Sequence, residues 1–244
     1  MPNGPKAKSS LIFNASELNL NNLPRIDAHL HTSWTDGEAS VEEMYRTAIS
    51  CNLDSVLYSE HSRKTSVDWF PLFAEQVRCL PASSCQAHVG TEVKVQSYSG
   101  EIDSVPSILD LCDLVMASVH RFIDARERTI EFTEVDATKA IELEYSLSWA
   151  VLENPAINIL GHVFGMSYRR FNVLPDEEKI ISLISRAAKY GVAIEINSHY
   201  HPNPLQMLRW CSAENALVTF GSNAHTLDTV GSIVRLLTAE TKIA

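Results

Sequence analysis

Apolar residues in this chain fall into short blocks closed by histidine, asparagine, serine or valine, each beside turn-forming residues. Seven blocks read as strands: Arg25–His31, Ser55–Ser59, His88–Val95, Leu114–His120, Asn158–Val163, Val192–Asn197 and Leu217–Ser222. Between them the apolar spacing turns helical. Ser40 is placed to cap a helix carrying Val41, Met44, Tyr45 and Ala48, with Glu43 completing a capping box. Thr133 or Asp136 opens a longer helix through Ala140, Leu143, Leu147 and Ala150, closed before Asn154-Pro155. Pro175, Asp176, Glu177 and Glu178 read as a first helical turn, and Gly191 as the stop of that helix.

Seven alternations average roughly 31 residues each, the scale of a βα unit, so the sheet is mainly parallel. An open doubly wound sheet is the competing architecture. It gives no reason for the residues that close the blocks. His29, His31, Asp36, His61, Glu92, His120, His162 and His225 all lie in or just beyond an apolar block. A closed barrel brings such ends onto one rim. The expected fold is therefore α/β, a distorted (β/α)7 barrel with a metal site at the C-terminal ends of its strands. Residues 1–22 are expected to form a flexible tail and 23–244 a single domain, because no linker or repeat interrupts the pattern.

Composition narrows the function. No run of 18 apolar residues is present, and the N-terminal lysines lack an adjoining apolar stretch, so neither a membrane span nor a secretory signal is expected. Five cysteines without CxxC spacing suit a reducing cytoplasm better than a thiolate zinc site. A formal net charge of −10 disfavours a nucleic-acid polymer as partner and leaves a small phosphate ester open.

His29 and His31 stand at i and i+2, on one side of their strand, and can grip one ion. Thr35-Asp36-Gly37 offers a carboxylate just beyond them, and Glu60-His61 ends the second strand. Glu92 lies among Val89, Val93 and Val95, where an unpaired carboxylate is costly and calls for a cation or strong donors. Each signal alone is bland; together they resist a packing explanation.

In order, D-x-H-x-H-T, T-D-G, E-H, G-x-E, S-V-H, G-H and G-S-x-A-H run from Asp27 to His225. This series resembles the PHP (polymerase and histidinol phosphatase) superfamily. The resemblance implies a distorted barrel of seven βα units that holds two or three divalent ions (zinc, manganese or iron) and hydrolyses phosphate esters. It implies one ion on His29, His31, Glu92 and residue 223, a second on Glu92, His120 and His162, and a third on Asp36, His61 and His225. Imidazole and carboxylate together suit those metals, and paired ions activate water without a serine or cysteine nucleophile. Asp27 is read as a partner that orients a ligand.

The family pattern has aspartate where this chain has Asn223. The amide keeps the shape and loses the charge, which weakens the first ion and lowers activity. Three explanations stay open: an introduced substitution, natural tolerance with altered metal occupancy, or loss of catalysis leaving a metal- or phosphate-binding protein. Asp36, Glu92, Asn223 and His199 are the catalytic candidates. Arg63, Arg121, Arg169, Arg170 and His199 are the candidates for holding substrate phosphate, arginine because its fork matches phosphoryl oxygens. Trp34, Trp69, Phe164 and Tyr168 are candidate stacking surfaces, with Trp69 and Phe164 better suited to the core. The expected activity is metal-dependent hydrolysis of a small-molecule phosphomonoester, with a phosphodiesterase on nucleotides as an alternative.

Overall fold

The computed structural model describes residues 10–241. Ten strands are formed: β1 (Phe13–Asn14), β2 (Ile26–Leu30), β3 (Ser55–Glu60), β4 (Gln86–Lys94), β5 (Leu114–Ser118), β6 (Phe122–Ile123), β7 (Thr129–Ile130), β8 (Ile159–Leu160), β9 (Ala193–Asn197) and β10 (Leu217–Gly221). The helices are α1 (Val41–Ser50), α2 (Phe70–Arg78), α3 (Pro106–Leu109), α4 (Ala137–Val151), α5 (Gly165–Phe171), α6 (Glu177–Tyr190), α7 (Pro204–Ala213) and α8 (Ser232–Thr241). All seven expected strands are present. Their parallel pairing runs in the order β10-β9-β8-β5-β4-β3-β2.

The ends of that sheet meet. Leu30 and Ala224 form a parallel bridge, with His31 N–H donating to Ala224 O (2.9 Å) and Ala224 N–H to His29 O (3.0 Å). The result is the distorted barrel expected from the chain, with β8 cut to two residues. Closure sets the seven C-terminal ends around one rim, while β1 pairs along the N-terminal half of β10.

The helix signals resolve in detail. Ser40 caps α1 and exchanges a capping box with Glu43. Asp136, not Thr133, caps α4, accepting from Lys139 N–H at 2.7 Å. Asp176 caps α6, so Pro175 lies outside the first turn in which it was expected. Helix α6 buries Ile180, Leu183, Ile184 and Ala187, one face at helical spacing, and Gly191 ends it at φ 69°.

The tail expectation needs correction. Residues 1–9 lie outside the described residues, but Leu11 is fully buried and β1 pairs antiparallel with β10. Residues ahead of the expected boundary at 23 are therefore packed on the barrel, with β1 hydrogen-bonded along the edge of β10. Among the described residues no helix is long and apolar enough to cross a membrane.

Candidate metal centre

Parallel strands deliver the expected side chains to the C-terminal rim. β2 carries His29 and runs into His31, β3 into His61, β5 into His120, β8 into His162 and β10 into Asn223 and His225. β4 carries Glu92, which is the centre of the group. Its Oε2 faces His29 Nε2 (3.3 Å), His31 Nε2 (3.5 Å) and His61 Nδ1 (3.2 Å). Its Oε1 faces His120 Nε2 (3.1 Å) and His162 Nε2 (2.9 Å). One carboxylate thus stands between two sets of imidazoles, the placement of a bridging ligand.

Asp36 gathers the remaining ring nitrogens. Its Oδ2 lies 3.4 Å from both His61 Nε2 and His225 Nε2, and its Oδ1 lies 3.9 Å from His31 Nδ1. Three sets of donor atoms are close enough to share an ion: His31, Asp36, His61 and His225; His29, His31 and Glu92; and His61, Glu92 and His120. The first shows that His31 reaches toward Asp36 as well as toward its strand neighbour His29.

Several polar atoms of the cluster lack hydrogen-bond partners. His29 Nε2, both nitrogens of His31, Glu92 Oε2 and His162 Nδ1 are buried without a hydrogen bond. Orphaned buried donors and acceptors are rare and need a reason. Divalent ions would supply it for the atoms facing Glu92, since a donor set of imidazole and carboxylate suits such ions. Burial lowers the His31 pKa well below its ordinary value, and His61 and His29 push the same way, so the ring is neutral, the ligand form. Burial works to raise Glu92, but His120, His29 and His61 outweigh it and hold the carboxyl well below the usual range. Burial also opposes ionisation of Asp36, yet His225 and His61 hold it ionised.

Glu195 on β9 was not anticipated. Fully buried, it accepts from His29 Nδ1 (2.7 Å), His162 N–H (2.6 Å) and Asn197 Nδ2 (2.7 Å). The proton on Nδ1 turns Nε2 of His29 toward Glu92, the role that had been assigned to Asp27. Asp27 instead accepts from Ser222 N–H and Gly231 N–H (2.8 Å each), with a long contact from His29 N–H (3.3 Å). It pins β2 to the segment after β10 and orients backbone, not an imidazole. Gly221 makes room for this arrangement, since a Cβ there would collide with Glu195 Oε1 and the His29 side chain.

The cluster opens into a cavity of about 480 Å³. Asn223 lines it at φ 51°, a left-handed conformation that asparagine tolerates better than most residues. Arg63, Arg121 and Arg170 line it as well. Arg169 and His199 do not. Both are exposed, and the His199 ring stands edge-on to Tyr200 at 4.9 Å. Tyr200 is the residue of that loop which reaches the cavity, stacked on His162 at 4.2 Å. Trp34 is occupied elsewhere: it stacks on Trp69 and donates to Gln76 Oε1 (2.6 Å). Trp69 and Phe164 pack as expected, and all five cysteines are free.

The chain belongs to the PHP domain family, whose model matches residues 27–199. It is 25% identical over 211 residues to a "Probable phosphatase" of Caldicellulosiruptor saccharolyticus, covering 82% of this chain and 80% of that protein. It is 23% identical over 231 residues to the Bacillus subtilis DNA polymerase/3'-5' exonuclease PolX, covering 88% of this chain but only 37% of PolX. In structure it is similar to a candidate histidinol phosphatase, hisK, of Listeria monocytogenes, with a TM-score of 0.68, 16% identity and coverage of 84% of this chain and 97% of that one. The last likeness shows the fold.

Proposed function

We propose that this protein is a metal-dependent phosphomonoesterase acting on a small-molecule phosphate ester. The observation that carries the reading is Glu92, a buried carboxylate with five imidazoles within 3.5 Å and one oxygen that no hydrogen bond satisfies. His29, His31, Glu92 and Asn223 would hold one ion, Glu92, His120 and His162 a second, and Asp36, His61 and His225 a third. His31 Nδ1, 3.9 Å from Asp36, leaves the boundary between the first and third sets shared. Bound there, divalent ions would supply the Lewis acidity that acidifies water and offsets charge on the attacked phosphoryl group.

The chain's own groups do the rest. Glu195 holds the ring of His29 and the backbone of His162 in register, so these imidazoles would meet an ion without reorganisation. Arg63, Arg121 and Arg170 offer forks to phosphoryl oxygens, and Tyr200 walls the cavity beside His162. The Caldicellulosiruptor relative, named a probable phosphatase, supports this reading.

The test is phosphate release from a phosphomonoester panel with Mn²⁺ or Zn²⁺, comparing the chain with Asn223→Asp. The restored carboxylate is expected to raise turnover by about two orders of magnitude. Equal rates and equal metal content would remove residue 223 from the site. A single-stranded oligonucleotide belongs in the panel because PolX is named an exonuclease; cleavage of it without monoester turnover would favour the phosphodiesterase reading. Metal binding with no turnover of any ester, even in Asn223→Asp, would favour a binding protein.

A further inference from the structure

The cavity rim is lopsided in charge. Four strands adjacent in the sheet, β3, β4, β5 and β8, each contribute a cation at or beyond the residue they give to the cluster. Arg63 follows His61, Lys94 follows Glu92 on the same face of β4, Arg121 follows His120, and Arg170 on α5 follows His162; all four line the cavity. The opposite arc, from β9 through β10 to β2, contributes Tyr200, Asn223, His225 and Asp36 to the lining and no lysine or arginine.

These cations lack acidic partners. Elsewhere Arg128, Lys179 and Arg186 pair with Asp124, Glu142 and Glu153. Among the described residues no carboxylate lies within 4.0 Å of the Arg63, Lys94, Arg121 or Arg170 head groups. Arg121 and Arg170 share the Phe132 ring instead, at 5.6 and 5.0 Å from its centroid. The lining carries these four cations against three carboxylates, Asp36, Glu92 and Asp103. Divalent ions add further positive charge, so one phosphomonoester dianion leaves a surplus. In a chain of net charge −10 such a surplus is built against the background.

We infer that the substrate carries a second, non-scissile phosphoryl group, which Lys94, Arg121 and Arg170 hold while the scissile one lies over the Glu92 cluster. The inference rests on the metal-dependent phosphoesterase reading above and deepens it. A substrate with an ammonium group at that end would meet like charge, and a neutral one would leave the cations unpaired.

Calorimetric titration of the Mn²⁺-loaded protein with matched ligand pairs tests this. Suitable pairs are fructose 6-phosphate with fructose 1,6-bisphosphate, ribose 5-phosphate with ribose 1,5-bisphosphate, and the mono- and bisphosphates of propane-1,3-diol. On at least one scaffold the bisphosphate is expected to bind about tenfold tighter or more, with the preference shrinking as salt rises. The Lys94→Met/Arg170→Met double variant is expected to bring the paired affinities together. Equal affinities on every scaffold overturn the inference, and an undiminished preference in the double variant overturns its assignment to this arc. A bisphosphate preference without hydrolysis would count against the catalytic reading alone; turnover without the preference would count against this inference alone.

Discussion

Two buried glutamates, each 2% exposed, show how one residue type serves opposite ends in this molecule. Glu92 faces imidazoles, and its Oε2 has no hydrogen bond. Glu144 on α4 faces backbone: it accepts from Met166 N–H (3.0 Å), Ser167 N–H (2.7 Å) and Ser167 Oγ (2.6 Å). Glu144 is satisfied by the chain, and it braces a segment in unfavourable backbone geometry, with His162 at φ 23° and Phe164 at φ 60°. Glu92 keeps one buried oxygen without a hydrogen bond, which a divalent ion would meet under the proposed function. A buried carboxylate met by amides is satisfied by the fold, whereas one left with an unsatisfied oxygen among imidazoles is placed to take a cation.

The contrast breaks most sharply at Glu92. Glu92→Gln is expected to abolish bound metal at the shared position and lower phosphate release by about a thousandfold. The melting temperature of the metal-free protein should fall only slightly, since the amide keeps the shape and loses a charge that burial disfavours and His120, His29 and His61 favour. Elemental analysis beside a thermal melt reads both, and retained metal with a lower melt would make Glu92 structural.

Glu144→Ala should do the reverse. Three donors lose their acceptor, and stability is expected to drop by about 3 kcal/mol in chemical denaturation. Metal content of the protein that remains folded should be close to normal. A variant as stable as the parent would show that water replaces the carboxylate and that the brace is dispensable.

Glu195 lies between the two cases, touching an imidazole and two amides. Glu195→Gln keeps its shape and loses the charge that favours the proton on His29 Nδ1. Metal affinity, read by chelator competition, is expected to weaken roughly 10- to 100-fold. A lower melt with unchanged metal affinity would place Glu195 with Glu144.

What the chain reveals before folding follows the same division. Apolar blocks and turn residues mark all seven parallel strands, because a strand buried on both faces must be continuously apolar. Histidines at block ends announce the cluster, since parallel pairing alone brings such ends together. β1 and the β6–β7 hairpin stay hidden: two-residue strands have no period to read, and β8, equally short, is legible only because it lies inside the apolar block Asn158–Val163. Glu195 and Glu144 were visible only as acids in apolar surroundings, Ala193–Asn197 and the buried face of α4. That pattern says a partner exists without saying which, because the partners lie on other elements. His199 misled for a related reason: the loop reaches the cavity as expected, but the backbone turns Tyr200 inward.

The mildest effect separates the carboxylates by pH. Burial raises the Glu144 pKa from 4.5 to about 7, with the donors of Ser167 and Met166 pulling only partly the other way. In the unfolded chain the group titrates near its ordinary value, so between the two the folded chain binds the proton more tightly. The contribution of Glu144 to stability is therefore full below pH 4.5, declines as pH rises through the window to about 7, and is flat above it. The slope is at most about 1.4 kcal/mol per pH unit. Glu144→Gln carries no such proton, so urea midpoints of the metal-free parent should fall relative to this variant between pH 5 and pH 7.5. Parallel curves would mean that Glu144 folds with its ordinary affinity for the proton. A parent that gained on the variant would mean the three donors outweigh burial, leaving Glu144 ionised like Glu92 but held so by backbone and hydroxyl donors rather than by imidazoles.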